Sequence, residues 1–172
     1  YAHLVWAAIG ITLKIGIFSF ISAVIIAIIV GSLRARKSSK IGSFLLSAYV
    51  EFFRGTPLLV QLFVVYYGLP SFGIRMDPIV ASIITMGLNS GAYLSESVRA
   101  AILSVDKGQY EAASILGFTS LQTTMHIVLP QALRIAIPSF MNGFSSIIKE
   151  TSLVSVLPII ELTKLGNQIY AK

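Results

Sequence analysis

The sequence predicts an all-α integral membrane protein, a bundle of helices that crosses a bilayer several times. Three observations carry that expectation. Of the 172 residues, 55% are hydrophobic and 12% charged, about half the charged share of a soluble domain. The apolar residues fall in long blocks: residues 15–33, 55–74 and 78–95 lack Asp, Glu, Lys and Arg and measure 19, 20 and 18 residues, against the ~20 a helix needs to cross the hydrocarbon core. Basic residues gather at Arg34, Arg36, Lys37 and Lys40, directly after the first block, where the positive-inside rule puts a cytoplasmic loop.

That cluster orients the elements. Helix 1 (about 4–33) runs from outside to inside, and helix 2 (about 41–69) returns. Residues 68–78, with Gly68, Pro70, Gly73 and Pro78, form an external turn. Helix 3 (about 78–105) runs inward, and residues 106–128, mixed in polarity, are cytoplasmic. Helix 4 (about 129–148) leads out again, although its charge-free block, 135–148, has only 14 residues. The apolar run 154–160 is too short to span. Helix 2 is interrupted: Gly55-Thr56-Pro57 reads as a flexible glycine, a threonine N-cap and a proline at the first position of a new helix. Such a break survives at membrane depth only where it faces protein or water.

Composition excludes several classes. With no cysteine there is no disulfide or thiol chemistry. His3 and His126 stand apart, with no ligand cluster and no nucleophile–base–orienter set. No metal or cofactor is expected. No glycine-rich phosphate loop precedes Lys-Ser/Thr, so the chain itself does not bind ATP in that way. The net charge of +6 is concentrated as a topological signal, which argues against nucleic acid. The chain begins at Tyr1 with no signal-peptide layout and reads as part of a longer protein, truncated at both ends.

Lys14, Arg54, Glu96, Lys149 and Glu150 lie in or beside apolar blocks. Each costs roughly 2.5–3.5 kcal/mol at the centre of a lipid-facing helix. Five together rival the about 5–15 kcal/mol stability of a whole domain, so they must be paired, snorkelling or beside water. Ser82, Thr85, Asn89, Tyr93 and Glu96 recur at spacings of 3, 4, 4 and 3, one face of helix 3. For Ser82 and Thr85 interhelical hydrogen bonding weighs as much as a polar path. Asn89, Tyr93 and Glu96 favour a water-filled path, because helix association does not require a carboxylate. Snorkelling or packing accounts better for Lys14. Glu51 and Arg54, three apart, either pair with each other or do not.

Residues 106–130 form a helix–turn–helix excursion: a helix from Lys107 to about Leu116, a stop at Gly117, and a second short helix capped by Thr119 and ending near Pro130. Glu111-Ala112-Ala113, Gly117, Ile127, Leu129 and Pro130 fit the spacing EAA-x3-G-x9-I-x-L-P. This resembles the EAA loop of ABC importer permeases. The stretches FRGTPLLVQLF (53–63), GAYLSESVRAAI (91–102) and KETSLVSV (149–156) are similar to the polar amino acid branch of that family.

The resemblance implies a permease domain over 1–172 with a coupling loop at 106–130, and four spans of a five-helix family core, the last helix falling beyond Lys172. It implies as partners an ATPase dimer, a second permease subunit (identical or not), an external solute-binding protein and a polar amino acid, in a multi-pass subunit of the bacterial inner membrane that is not itself an enzyme. Glu111, Ala112, Ala113, Gly117, Ile127, Leu129 and Pro130 would couple to the ATPase. Gln61, Asn89, Tyr93, Glu96, Glu150, Thr151 and Ser152 would line the path: carboxylates toward a substrate ammonium, hydroxyls, Asn89 or a helix N-terminus toward its carboxylate. A secondary transporter or channel would also use intramembrane charges but does not need the EAA spacing. A non-transporting assembly subunit could keep the loop without a path.

The orientation has a direct test. A cysteine at Ser38 is expected to react with an impermeant thiol reagent only from the cytoplasmic side, and one at Ser71 only from outside. The reverse pattern would overturn the topology.

Overall fold

The computed structural model describes residues 2–36 and 40–171. Lys37 of the basic cluster, the labelling position Ser38 and the chain ends Tyr1 and Lys172 lie outside the described residues. Every regular element among the described residues is helical.

Helix α1 (Ala2–Ala35) has 34 residues, about 51 Å at 1.5 Å per residue, longer than the ~30 Å hydrocarbon core. Among the described residues it alone is both long and apolar enough to span by itself. Helix α4 (Pro78–Leu103) starts at an Asp77 cap whose carboxylate accepts from the amides of Ile79 and Val80. The two helices pack through small residues. On α1, Ser19, Ala23, Ala27 and Gly31 recur every fourth position and are buried; on α4, Gly87, Gly91 and Ser95 do the same. A Cβ on Gly91 would lie 2.8 Å from Ile26 Cγ2, and one on Gly31 would lie 2.7 Å from the Ser95 carbonyl oxygen. This is the close backbone approach that small residues permit between membrane helices.

The contact order fixes direction. Gly87 meets Ser22, Gly91 meets Ile26 and Val98 meets Gly31, rising together along both helices, so α1 and α4 are parallel. Residues between them must therefore return the chain to the side where α1 began. That return is made by α2 (Lys40–Gly55) and α3 (Leu58–Phe63), whose helical path continues to Phe72. The two segments together are long and apolar enough to span, but they are bent by 104°. Helix 2 of the sequence reading is thus a broken helix, as the Gly-Thr-Pro sequence indicates.

Helix α7 (Leu129–Glu150) runs antiparallel to both. Ile148 covers Gly16, Phe144 meets Phe20 edge-on at 5.1 Å, and Leu94 covers Gly143. Ile15, Ala23, Met86, Leu94, Val98, Ala136 and Ile147 build the core between these three helices.

The excursion at 106–130 folds nearly as its sequence reads. Asp106 caps α5 (Lys107–Ile115) by accepting from the Gly108 amide, and Gly117 follows at φ +78°, a conformation that suits glycine. Thr119 and Gln122 form a reciprocal capping box at α6 (Ser120–Gln122). One expectation fails: the second helix does not end near Pro130. A widened turn over Thr123–Val128, in which the Leu129 amide reaches back to the Thr124 carbonyl, leads straight into α7. Pro130 then sits in the first turn of α7, where its missing N–H is tolerated. At the far end Glu161, fully buried, caps α8 (Leu162–Tyr170) through the amides of Thr163 and Lys164.

Gly91→Leu is expected to push α1 and α4 apart and lower stability by at least the about 1–3 kcal/mol typical of overpacking, read as a drop in thermal unfolding temperature in detergent. Gly10→Ala, with open space around its Cβ, is expected to be neutral or slightly stabilising. Equal effects at both positions would contradict the close α1–α4 contact.

Candidate functional site

The break between α2 and α3 sets the site. Pro57 has no amide hydrogen, so the carbonyl of Phe53, four residues earlier, has no helical donor. Two side chains replace it: Asn89 Nδ2 and Gln61 Nε2 each donate to the Phe53 oxygen, both at 3.0 Å. Gln61 Nε2 also lies 3.1 Å from the Thr56 carbonyl and 2.6 Å from Thr56 Oγ1. Tyr93 donates its hydroxyl to the Arg54 carbonyl at 3.2 Å. The two amides are joined, Asn89 Nδ2 to Gln61 Oε1 at 3.1 Å. Gln61 and Asn89 are each only 6% exposed.

Thr56 is not the N-cap that its sequence position suggests. Pro57 holds that position, and the Thr56 hydroxyl donates back to the Phe52 carbonyl at 2.8 Å. The carbonyl that Pro57 leaves without a donor, that of Phe53, is met by Asn89 and Gln61 instead.

Around this knot lies a cleft. One lobe of about 400 Å³ is lined by Arg54, Gly55, Thr56, Pro57, Leu58, Asn89, Tyr93 and Glu150. A second, about 200 Å³, shares Asn89, Tyr93 and Glu150 and adds Ser90, Leu94, Gly143 and Ser146. The Arg54 guanidinium sits 5.3 Å from the centre of the Tyr93 ring. Arg54 and Glu51 form no ion pair among the described residues.

The structure therefore brings Asn89, Tyr93 and Glu150 to one cleft and places Gln61 directly behind Asn89. It does not bring the others there. Thr151 and Ser152 turn their hydroxyls back onto the Ile148 and Lys149 carbonyls, at 2.7 and 2.8 Å. Glu96 lies lower on α4, with Arg34 bonded to one carboxylate oxygen and Arg99 Nε 3.2 Å from the other. Lys149 is exposed and makes no ion pair among the described residues. Lys14 is likewise exposed on α1. Ser82 and Thr85 are buried, each bonding a carbonyl of its own helix at 2.7 Å.

On the excursion, Glu111, Ala112, Gly117 and Pro130 are exposed, Ile127 and Leu129 half-buried, and Ala113 wholly buried. The alanine pair is split: Ala113 packs against its own chain and Ala112 faces out. Beside them stand apolar residues that the spacing alone did not single out, Ile115 at 87% exposure and Leu116 at 73%, with Phe118 and Leu121 nearby. Two further groups escaped the sequence reading. Arg34 was legible only as a topological charge, and Gly87-x3-Gly91-x3-Ser95 was a visible small-residue signal passed over in favour of the polar stripe beside it.

Residues 23–170 match the family described as the binding-protein-dependent transport system inner membrane component. The chain belongs to that family. It is 44% identical over 161 residues to the L-cystine transport system permease protein TcyB of Bacillus subtilis, covering 94% of this chain and 68% of that protein. It is 40% identical over 156 residues to the probable amino-acid ABC transporter permease protein PatM of Vibrio harveyi, covering 89% and 70%. The crystal structure of an amino acid ABC transporter with histidines superposes with a TM-score of 0.88 at 34% identity, covering 99% of this chain and 79% of that one. An inward-facing MetNI methionine ABC transporter shares the fold, with a TM-score of 0.71 at 20% identity over 95% and 77%. The chain is a permease subunit of the ABC transporter type, a membrane protein family.

The Glu96 cluster joins the ends of α1 and α4 within that subunit. Glu96→Gln leaves Arg34 without its carboxylate, and with the Glu96 side chain 25% exposed the expected loss is at the low end of the range for broken buried pairs, about 3 kcal/mol. The measurement is abundance of the assembled complex in membranes, expected to fall for Glu96→Gln and to recover in the double variant Arg34→Gln/Glu96→Gln. Normal abundance of the single variant would remove the structural role.

Proposed function

We propose that this subunit forms the substrate path of an ATP-driven importer of polar amino acids in the bacterial cytoplasmic membrane, working with a separate ATPase dimer, a second permease subunit and an external solute-binding protein. The observation that carries the reading is the excursion at 106–130. It is a short helix fixed at both ends, by the Asp106 cap and by Gly117 at φ +78°, held between two membrane helices and presenting Ala112, Ile115 and Leu116 outward. An exposed apolar cluster of this kind marks a protein partner. Beyond the turn at Gly117, α6 runs through the widened turn straight into α7, which forms one wall of the cleft, so movement of the excursion is passed on to that wall.

The polar amino acid substrate rests on the relatives, named for amino acids and L-cystine, and on the cleft. Asn89, Tyr93 and Glu150 form its wall and Gln61 braces Asn89, while Glu96, Thr151 and Ser152 support the helices around it. Closure of the ATPase dimer on ATP draws two such excursions together, and the helices rock as rigid bodies about the cleft. A secondary transporter has no use for the excursion, and an assembly subunit has none for the cleft.

Gly117→Asp and Glu111→Lys are expected to abolish co-purification of the ATPase while leaving membrane insertion intact, because each puts a new charge into a buried contact. Normal complex yield and uptake from both variants would refute the coupling role. Substrate-stimulated ATP hydrolysis by the wild-type complex separates a transporter from an assembly subunit.

A further inference from the structure

We infer that Arg54 and Glu150 form a two-charge selector in the cleft, which accepts amino acids with one ammonium, one carboxylate and an uncharged side chain. The inference rests on the transport reading above and adds to it Arg54, which that reading leaves unassigned, and a substrate charge class.

Arg54 lies near the end of α2, at the break before Pro57. Glu150 ends α7 and is half-buried. Both line the same 400 Å³ lobe, yet no ion pair joins them among the described residues, and neither has another oppositely charged partner there. The contrast with Glu96 is informative. Glu96, which lies outside the cleft, is paired directly with Arg34 and Arg99.

The Arg54 guanidinium is not loose, since the Tyr93 ring lies 5.3 Å beneath it, which orients a cation without neutralising it. Tyr93 is in turn tied to the Arg54 carbonyl. A positioned cation and an unpaired carboxylate facing one void are complementary to a zwitterion: the guanidinium takes the carboxylate, bidentate where geometry allows, and Glu150 takes the ammonium. Between them Asn89 keeps its side-chain carbonyl oxygen without a hydrogen bond among the described residues, an acceptor for a polar side chain. The lobe's formal charges sum to zero, so a ligand with an additional charge brings one that the lobe leaves unmatched, a repulsive device for specificity.

The test measures binding of radiolabelled glutamine, lysine and glutamate to the permease assembled with its cognate ATPase in lipid nanodiscs, without the solute-binding protein. The wild-type complex is expected to bind glutamine at least about tenfold more tightly than lysine or glutamate. Arg54→Gln is expected to weaken glutamine and move the preference toward lysine; Glu150→Gln is expected to weaken glutamine and move it toward glutamate. Wild-type binding of lysine or glutamate as tight as that of glutamine would overturn the selector even if neither variant assembles. Unchanged preference in assembled variants would overturn it too. Failure of the wild-type complex to bind any amino acid would instead remove the transport reading on which the selector rests.

Discussion

Inside a bilayer a carbonyl oxygen that loses its helical donor finds no water to replace it, and each such group costs several kcal/mol. Pro57 creates that situation at Phe53, and the 104° bend strands the neighbouring carbonyls as well. Gln61, Asn89 and Tyr93 reach those oxygens, and the geometry of the cleft follows from their doing so. Because Asn89 and Tyr93 are anchored to the end of α2, α4 cannot slide past the break. Because the break is propped open by side chains and not closed by helix, a void remains beside it. Residues that look like a substrate wall are therefore first the supports of an irregular backbone.

The rest of the bundle gives those supports a fixed base. Helices α1 and α4 approach so closely, through Gly31, Gly87 and Gly91, that they behave as one body, and the Arg34–Glu96–Arg99 cluster ties their ends. Helix α7 connects the excursion to the cleft. It follows directly on the widened turn of the excursion and ends at Glu150 in the cleft. A displacement at α6 thus has a continuous helical path to the site.

Most of the fold was legible because bilayers impose strong rules: charge-free blocks gave the helices, and Gly55-Thr56-Pro57 the break. The excursion was legible from its caps, Asp106, Gly117, and Thr119 with Gln122, because capping is local chemistry. What sequence could not supply was the destination of polar side chains. The 82–96 stripe lies on one helix face, yet its members part company: Asn89 and Tyr93 reach the cleft, while Glu96, one turn further, meets Arg34, 62 positions away. Thr56 illustrates the same limit at short range, since its hydroxyl turns back onto the Phe52 carbonyl and Pro57 takes the cap position. Ala112 and Ala113 are indistinguishable by composition, and only packing decides which faces out.

The central claim is that the supports of the broken helix hold open an aqueous, substrate-accessible cleft within the membrane. The chain contains no cysteine, so single-cysteine variants report directly. With the subunit assembled in membranes, a cysteine at Ser146, on the cleft wall, is expected to react with a water-soluble, charged thiol reagent and to be protected by the transported amino acid. A cysteine at Phe18, exposed on α1 away from the cleft, is expected to stay unreactive. A Ser146 position as inert as Phe18, or one reactive at the same rate with and without substrate, would contradict the account.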